Sequence, residues 1–269
     1  MAPVQHAIAP CERPKMNSVT GVSNSEQELQ TLLSSLSRNN TRELARAISL
    51  VENDSTLNVT SANSPARIVG ITGAPGVGKS TTVNALITWL RAQGKSVAVL
   101  AVDPSSPVSG GALLGDRIRL GEHFLDSDVF IRSIASRGHL GGLSATIASI
   151  INLTGRAGFD YIFVETVGVG QSEVEVMKYV ETVVVVLAPG MGDGIQASKA
   201  GILEIGDIFL VNKSDRDGAR ETARELEGSL HLSPQPSEWQ PIVLLGAMEN
   251  SVGISELVAS IEKHGEIRK

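Results

Sequence analysis

Gly73-Ala74-Pro75-Gly76-Val77-Gly78-Lys79-Ser80 is the stretch from which the rest of this chain can be read. Its spacing is G-x-x-x-x-G-K-[ST], a glycine-rich turn whose backbone N–H groups wrap phosphates. Ile68-Val69-Gly70-Ile71 precedes it as a short buried strand. Ser80 to Leu90 follows as a helix with Val83, Leu86, Ile87 and Leu90 on one face. Strand, glycine turn, helix is the setting this motif requires, because the helix N-terminus adds partial positive charge to the inward N–H groups. Lys79 is then placed to reach β- and γ-phosphates, and the Ser80 hydroxyl to ligate Mg²⁺. Thr81 belongs to the same cradle. The stretch reads as a nucleotide site.

Outward from it, apolar runs alternate with helical stretches. Val97 to Val102 reads as a strand ending at Asp103, and Ser105 to Gly115 as a long loop. Asp116 to Leu125 reads as helical, Val129 to Ile134 as a strand, and Leu143 to Leu153 as a helix. Tyr161 to Val164, Val183 to Leu187, Ile208 to Val211 and Ile242 to Leu245 supply four more strands. Continuous β-branched runs are what a parallel sheet covered on both faces needs, so the expectation is a doubly wound, mostly parallel α/β fold. That domain is expected over residues 65–269. Residues 1–24, with Pro3, Pro10 and Pro14, read as a disordered leader. Residues 25–64 read as a small helical extension and linker. Ser25 with Glu28, and Asn40 with Glu43, have capping-box spacing ahead of apolar stripes, and Asn53 to Pro65 is a polar stretch.

The remaining chemistry falls at strand ends. Asp160-Tyr161-Ile162-Phe163-Val164-Glu165 is an apolar strand ending in a carboxylate, so Glu165 is placed beside the phosphates to hold Mg²⁺ directly or through water. Glu165-Thr166-Val167-Gly168 has the form of the D-x-x-G switch with Glu for Asp, and Gly168 would offer its N–H to the γ-phosphate. Asp103 is placed to bind Mg²⁺ through water or to orient the attacking water. Asp116 reads equally as a helix N-cap and as an acid on a loop that closes over the site. Asn212-Lys213-Ser214-Asp215 follows a strand and matches N-K-x-D, the guanine-reading motif. The Asp215 carboxylate suits guanine's N1–H and 2-amino donors, the Lys213 stem covers the ring, and Asn212 ties this loop to the phosphate loop. Gly246-Ala247-Met248 stands where a backbone N–H would reach guanine O6.

Leu100 to Ser106, Arg137 to Gly142, Val164 to Glu173 and Gly201 to Asp207 together resemble the MeaB/ArgK family of P-loop GTPases, over about residues 42–261. The resemblance implies a SIMIBI-class GTPase using GTP, GDP and Mg²⁺, with Lys79, Asp103, Asp116 and Glu165 serving phosphate, metal or hydrolysis. It implies association with an adenosylcobalamin-dependent acyl-CoA mutase, usually methylmalonyl-CoA mutase, whose cofactor the GTPase protects or gates. A metallochaperone and a small-molecule kinase are the alternatives. Pro189 to Gln196 matches a further partner-responsive segment, with Gly194 where an acid is common and Asp193 the remaining acid. Family members continue into a helical arm that forms a homodimer. This sequence stops at Lys269, so the alternatives are a dimer through other surfaces, a shortened chain, or a monomer, and the expectation is that the chain as given is mostly monomeric.

Bulk properties fit such a protein. Of 269 residues, 42% are hydrophobic and 3% aromatic, the net charge is −6, and Cys11 is the one cysteine. The charge speaks against a nucleic-acid surface, and one cysteine provides no disulfide framework. With no membrane-spanning run and no secretory signal order, the expectation is a cytoplasmic protein without a membrane partner.

Overall fold

Seven short apolar runs fold as parallel strands in one sheet of order β3-β2-β4-β1-β5-β6-β7. They are β1 (Arg67–Thr72), β2 (Val97–Asp103), β3 (Val129–Ala135), β4 (Tyr161–Thr166), β5 (Thr182–Leu187), β6 (Ile208–Val211) and β7 (Ile242–Leu245). The computed structural model describes residues 23–60, 64–103, 120–135, 140–166, 171–190, 203–232 and 238–268. Every residue of β2, β4 and β5 is buried, as strands covered on both faces must be.

Alternate strand residues feed two layers. Val97, Val99, Phe163, Val184 and Val186 join the face covered by α3 (Lys79–Ala92) and the C-terminal helix Ile254–Ile267. Ala98, Leu100, Val164, Val183 and Val185 join the opposite face. That face is covered by α1 (Asn24–Ser35), α2 (Thr41–Asn53), α4 (Leu140–Ala157) and α5 (Gln171–Met177). A sixth helix, α6 (Ala219–Leu232), packs on β6 and β7, and Ile254–Ile267 is α7.

The chain winds away from β1 in both directions, toward β2 and β3 on one side and β5 to β7 on the other. Such a reversal opens a crevice at the carboxyl ends of the central strands, where α/β sheets bind ligands. The glycine turn sits there.

Three local expectations change. The first helix is capped by Ser23, whose Oγ accepts from Glu26 N at 3.1 Å, so it begins two residues ahead of the expected Ser25. Both pairs share the same spacing, and the earlier one wins. Among the described residues of Asp116 to Leu125 there is only a 3-10 turn, Gly121–His123, rather than a helix. The polar stretch after α2 is not simply a surface loop. Leu57 and Val59 are buried, and Val59 is fixed to α4 by Ser149 Oγ, which accepts from its N–H at 3.2 Å, and by Asn152 Nδ2, which donates to its C=O at 2.7 Å. The expected leader lies, but for Ser23 and Asn24, outside the described residues. No helix among the described residues is long and apolar enough to cross a membrane.

Candidate nucleotide site

The turn between β1 and α3 depends on its glycines. Gly73, Gly76 and Gly78 have φ values of 146°, 80° and 98°, which side chains disfavour. At two of them close approach adds to the need. A Cβ on Gly73 would stand 2.2 Å from the Val186 carbonyl oxygen, and one on Gly78 would stand 2.3 Å from Asn212 Nδ2. Lys79 opens α3 and is buried. Its Nζ donates to the carbonyls of Gly73 at 2.8 Å and Ala74 at 3.1 Å. The ammonium is thus held over the turn by neutral acceptors that a phosphate oxygen can outcompete.

Beside it, Ser80 Oγ donates to Glu165 Oε1 at 2.7 Å. Glu165 lies in register with Ile71 of β1 and Ala101 of β2, and Asp103 ends β2 two positions further on. Both carboxylates are buried at the carboxyl edge of the sheet. A serine hydroxyl with two carboxylates is an all-oxygen, anionic set of the kind Mg²⁺ takes. Among the described residues no three His, Cys, Asp or Glu side chains gather to hold a metal. Mg²⁺ does not require such a cage where phosphate oxygens and water complete its shell. Sequence reading missed a second contact here: Thr166 Oγ1 donates to Thr72 Oγ1 at 3.1 Å, buried between β4 and β1. A threonine stands directly before Gly73 and another directly after Glu165, but what pairs them is that β4 lies beside β1.

The loop that carries the N-K-x-D motif is stitched to the phosphate turn by Asn212, which is 3% exposed. Its Nδ2 donates to the Val77 carbonyl at 3.0 Å, and its Oδ1 accepts from Met248 N at 3.0 Å. Lys213, at φ 58°, donates from Nζ to the Gly76 carbonyl at 2.6 Å. Ser214 N donates to the Gly246 carbonyl at 3.0 Å, and the Asp215 side chain is left exposed at the rim. The N–H groups of Gly246, Ala247 and Met248 donate to Val211 O, Val252 O and Asn212 Oδ1. A base oxygen approaching any of the three has to compete with those acceptors.

The expected residues Gly73 to Thr81, Asp103, Glu165, Asn212, Lys213, Asp215 and Gly246 to Met248 therefore lie along one edge of the sheet. Asp116, Gly168, Asp193 and Gly194 lie outside the described residues.

Comparison with known proteins bears on the family and the fold. Residues 44–269 match the family model described as methylmalonyl Co-A mutase-associated GTPase MeaB. A putative GTPase of Pyrococcus horikoshii is 46% identical over 247 residues, covering 88% of this chain and 78% of that protein. The GTPase ArgK of Escherichia coli is 42% identical over 193 residues, covering 70% of this chain and 58% of that protein. The solved structure of a LAO/AO transport system kinase superposes with a TM-score of 0.69 at 28% identity, covering 90% of this chain and 76% of that one.

Proposed function

The chain belongs to the MeaB family of methylmalonyl Co-A mutase-associated GTPases and is a GTPase, and from that premise we propose that it is a GTP-driven chaperone of an adenosylcobalamin-dependent acyl-CoA mutase. In this reading the protein binds the mutase in a nucleotide-dependent way and gates or protects its cofactor. The observation that carries it is the position of Asn212. One buried amide holds both the phosphate turn, through Val77, and the loop after β7, through Met248. Base identity and phosphate state are thereby read by one connected set of loops, as a switch requires.

The chemistry assigned to the residues follows from their placement. Lys79 exchanges its two carbonyl partners for β- and γ-phosphate oxygens and stabilises the charge that grows on them. Ser80, Glu165 and Asp103 would hold Mg²⁺ through their oxygens, directly or through water. A bound Mg²⁺ would neutralise charge on the β- and γ-phosphate oxygens. Gly73 lets the turn approach Val186 of β5 closely, which a side chain there would prevent. Asp215 supplies the acceptor for the guanine N1–H and 2-amino groups.

The test is association of this protein with purified methylmalonyl-CoA mutase, in the presence of GDP and of a non-hydrolysable GTP analogue. The expected result is binding whose affinity differs between the two nucleotides, with the difference lost in Lys79→Ala. Equal or absent binding in both states, with GTP hydrolysis intact, would overturn the mutase reading and leave the GTPase standing.

A further inference from the structure

Two connections leave the sheet on the nucleotide side and return to the same place on its far edge. The first leaves β4 just after Glu165 and Thr166, runs through α5, and reaches β5 by way of Lys178 to Glu181. The second leaves β5, whose Val186 carbonyl faces Gly73, and reaches β6 by way of Leu203 to Gly206. Between their returning ends lies a cleft of about 320 Å³.

The cleft is firmly built. Met177, in its wall, occupies room left by Gly70 of β1, where a Cβ would stand 2.3 Å from the Met177 sulfur. Trp239 donates from Nε1 to the Asp207 carbonyl at 3.0 Å and meets the His264 ring edge-on at 4.9 Å. The Asp207 carboxylate accepts from Val183 N at 2.8 Å and faces His264 Nε2 at 3.3 Å. His264 Nδ1 in turn pairs with Thr182 Oγ1 at 2.8 Å. The walls are therefore locked to the starts of β5 and β6 and to the end of α7. The other end of α7 begins at Gly253, packed so closely on Leu245 that a Cβ there would stand 2.7 Å from its carbonyl oxygen. Rigid elements thus run from the cleft to both the phosphate turn and the base-reading loop.

Its volume is that of a small-molecule pocket. Met177, Val183, Leu203 and Trp239 provide an apolar floor. Around it stand the carboxylates of Glu181, Glu204 and Asp207 against the cations of Lys178 and Arg268. Lys178 is paired with Glu175, on its own connection, and Glu181 with Arg67 of β1, 3.9 Å away. With those partners included, four acids stand with three cations, and that excess of one acid favours a positive head group, while the floor favours a hydrocarbon or aromatic body.

We propose that this cleft is a second ligand site, for a small amphipathic cation such as an amine or guanidinium on an apolar body, whose occupation changes nucleotide binding on the opposite edge of the sheet. The coupling rests on the reading that the glycine turn holds the nucleotide. Occupancy itself does not.

Benzylamine, benzyl alcohol and benzoate are titrated against the Trp89→Phe protein, in which Trp239 is the one remaining indole. The expected result is a saturable change in Trp239 emission with benzylamine, at least about tenfold tighter than with the neutral or anionic ring. Glu204→Gln should weaken that preference. Saturating benzylamine should also change the release rate of a fluorescent GDP by at least about fivefold. Leu203→Trp, which fills the cleft, should shift that rate in the same direction without any ligand. No saturable response, or equal binding of the three rings, overturns the site. Selective amine binding with GDP release unchanged, by ligand and by Leu203→Trp alike, overturns the coupling and the proposal with it. If fluorescent GDP fails to bind at all, the reading of the glycine turn fails, while the Trp239 titration still decides the cleft.

Discussion

Ser80 and Glu165 stand 85 residues apart in sequence and are joined by a 2.7 Å hydrogen bond from hydroxyl to carboxylate. The bond crosses from the first turn of α3 to the end of β4, so it ties the phosphate turn to the strand that leads into the expected switch. A carboxylate held there places negative charge beside the region where a divalent cation and the β- and γ-phosphates would meet.

Glu165→Gln keeps the side-chain shape and removes that charge. Hydrolysis should fall by about two orders of magnitude, while GTP affinity falls far less, because the charge matters most in the transition state. Single-turnover hydrolysis and equilibrium GTP binding separate the two. An unchanged kcat with a raised KM would reduce Glu165 to a binding residue.

The glycine turn supports a paired comparison. Gly78 and Gly94 both have positive φ, 98° and 73°. A Cβ on Gly94 meets nothing within 4 Å, whereas one on Gly78 runs into the Asn212 amide at 2.3 Å. Gly94→Ala should cost about 1 kcal/mol of stability from the backbone alone and leave GTP binding untouched. Gly78→Ala should destabilise further and lower GTP affinity by more than about tenfold, since displacing Asn212 frees both loops it holds. Denaturant midpoints and GTP titrations on both variants decide it. Matching behaviour of the two would remove Asn212 from the argument.

Strands were the most legible part of the sequence because a sheet buried on both faces leaves no polar alternation to blur them. Val183 to Leu187 and Ile208 to Val211 could hardly be read otherwise. Helix α6 was not placed at all. Its buried face is Ala219, Thr222, Ala223 and Leu226, with one large apolar side chain in a charged segment, and burial against β6 and β7 supplies what the pattern lacks. The site was legible where it is local, from Gly73 to Ser80, and where a motif marks it, from Asn212 to Asp215. The reach of Asn212 to the phosphate turn was legible from its motif, whereas its second hold, on Met248, and the Thr72–Thr166 pair depend on strand order, which no local pattern encodes. The cleft on the far edge was invisible for the same reason. Met177, Val183, Leu203 and Trp239 come from separate connections that only the winding of the sheet brings together.

A stability prediction concerns the far end of α3, where Arg91 donates from Nε to Asp126 Oδ2 at 2.8 Å and from Nη2 to Asp128 at 3.1 Å. The Arg91 hydrogen bond holds the Asp126 carboxyl below its ordinary pKa, against the opposing effect of burial. A depressed folded pKa contributes stability above the unfolded value and loses it as pH falls through the folded one. Asp126→Asn should therefore destabilise the protein by about 1 kcal/mol at neutral pH, the pair being partly exposed. The gap from wild type should begin to close below about pH 4, where the unfolded carboxyl takes up its proton, and vanish once the folded carboxyl does so too. Urea midpoints across pH test this. A gap that stays constant with pH would mean the loss comes from packing rather than charge.

Asp215 carries the sharpest prediction, because hydrogen-bond geometry determines its sign. The loop that bears it is fixed by Asn212, by Lys213 Nζ on the Gly76 carbonyl, and by Ser214 N on the Gly246 carbonyl. Its own side chain is exposed, so replacing it should leave the fold unchanged. An ionised carboxylate accepts from both guanine N1–H and the 2-amino group, and hydrogen bonds to a charged group contribute about 1.5–3 kcal/mol each. Asp215→Asn turns one acceptor oxygen into an NH₂ donor that faces the 2-amino group. Xanthine has an oxygen at that position, which accepts from the same NH₂. GTP affinity should fall by at least roughly tenfold, equivalent to about 1.4 kcal/mol, and XTP affinity should rise. Competition among GTP, XTP and ATP on both proteins measures it, with the denaturant midpoint as the control for folding. A mutant that loses GTP without gaining XTP, at unchanged stability, would show that Asp215 does not face the base edge.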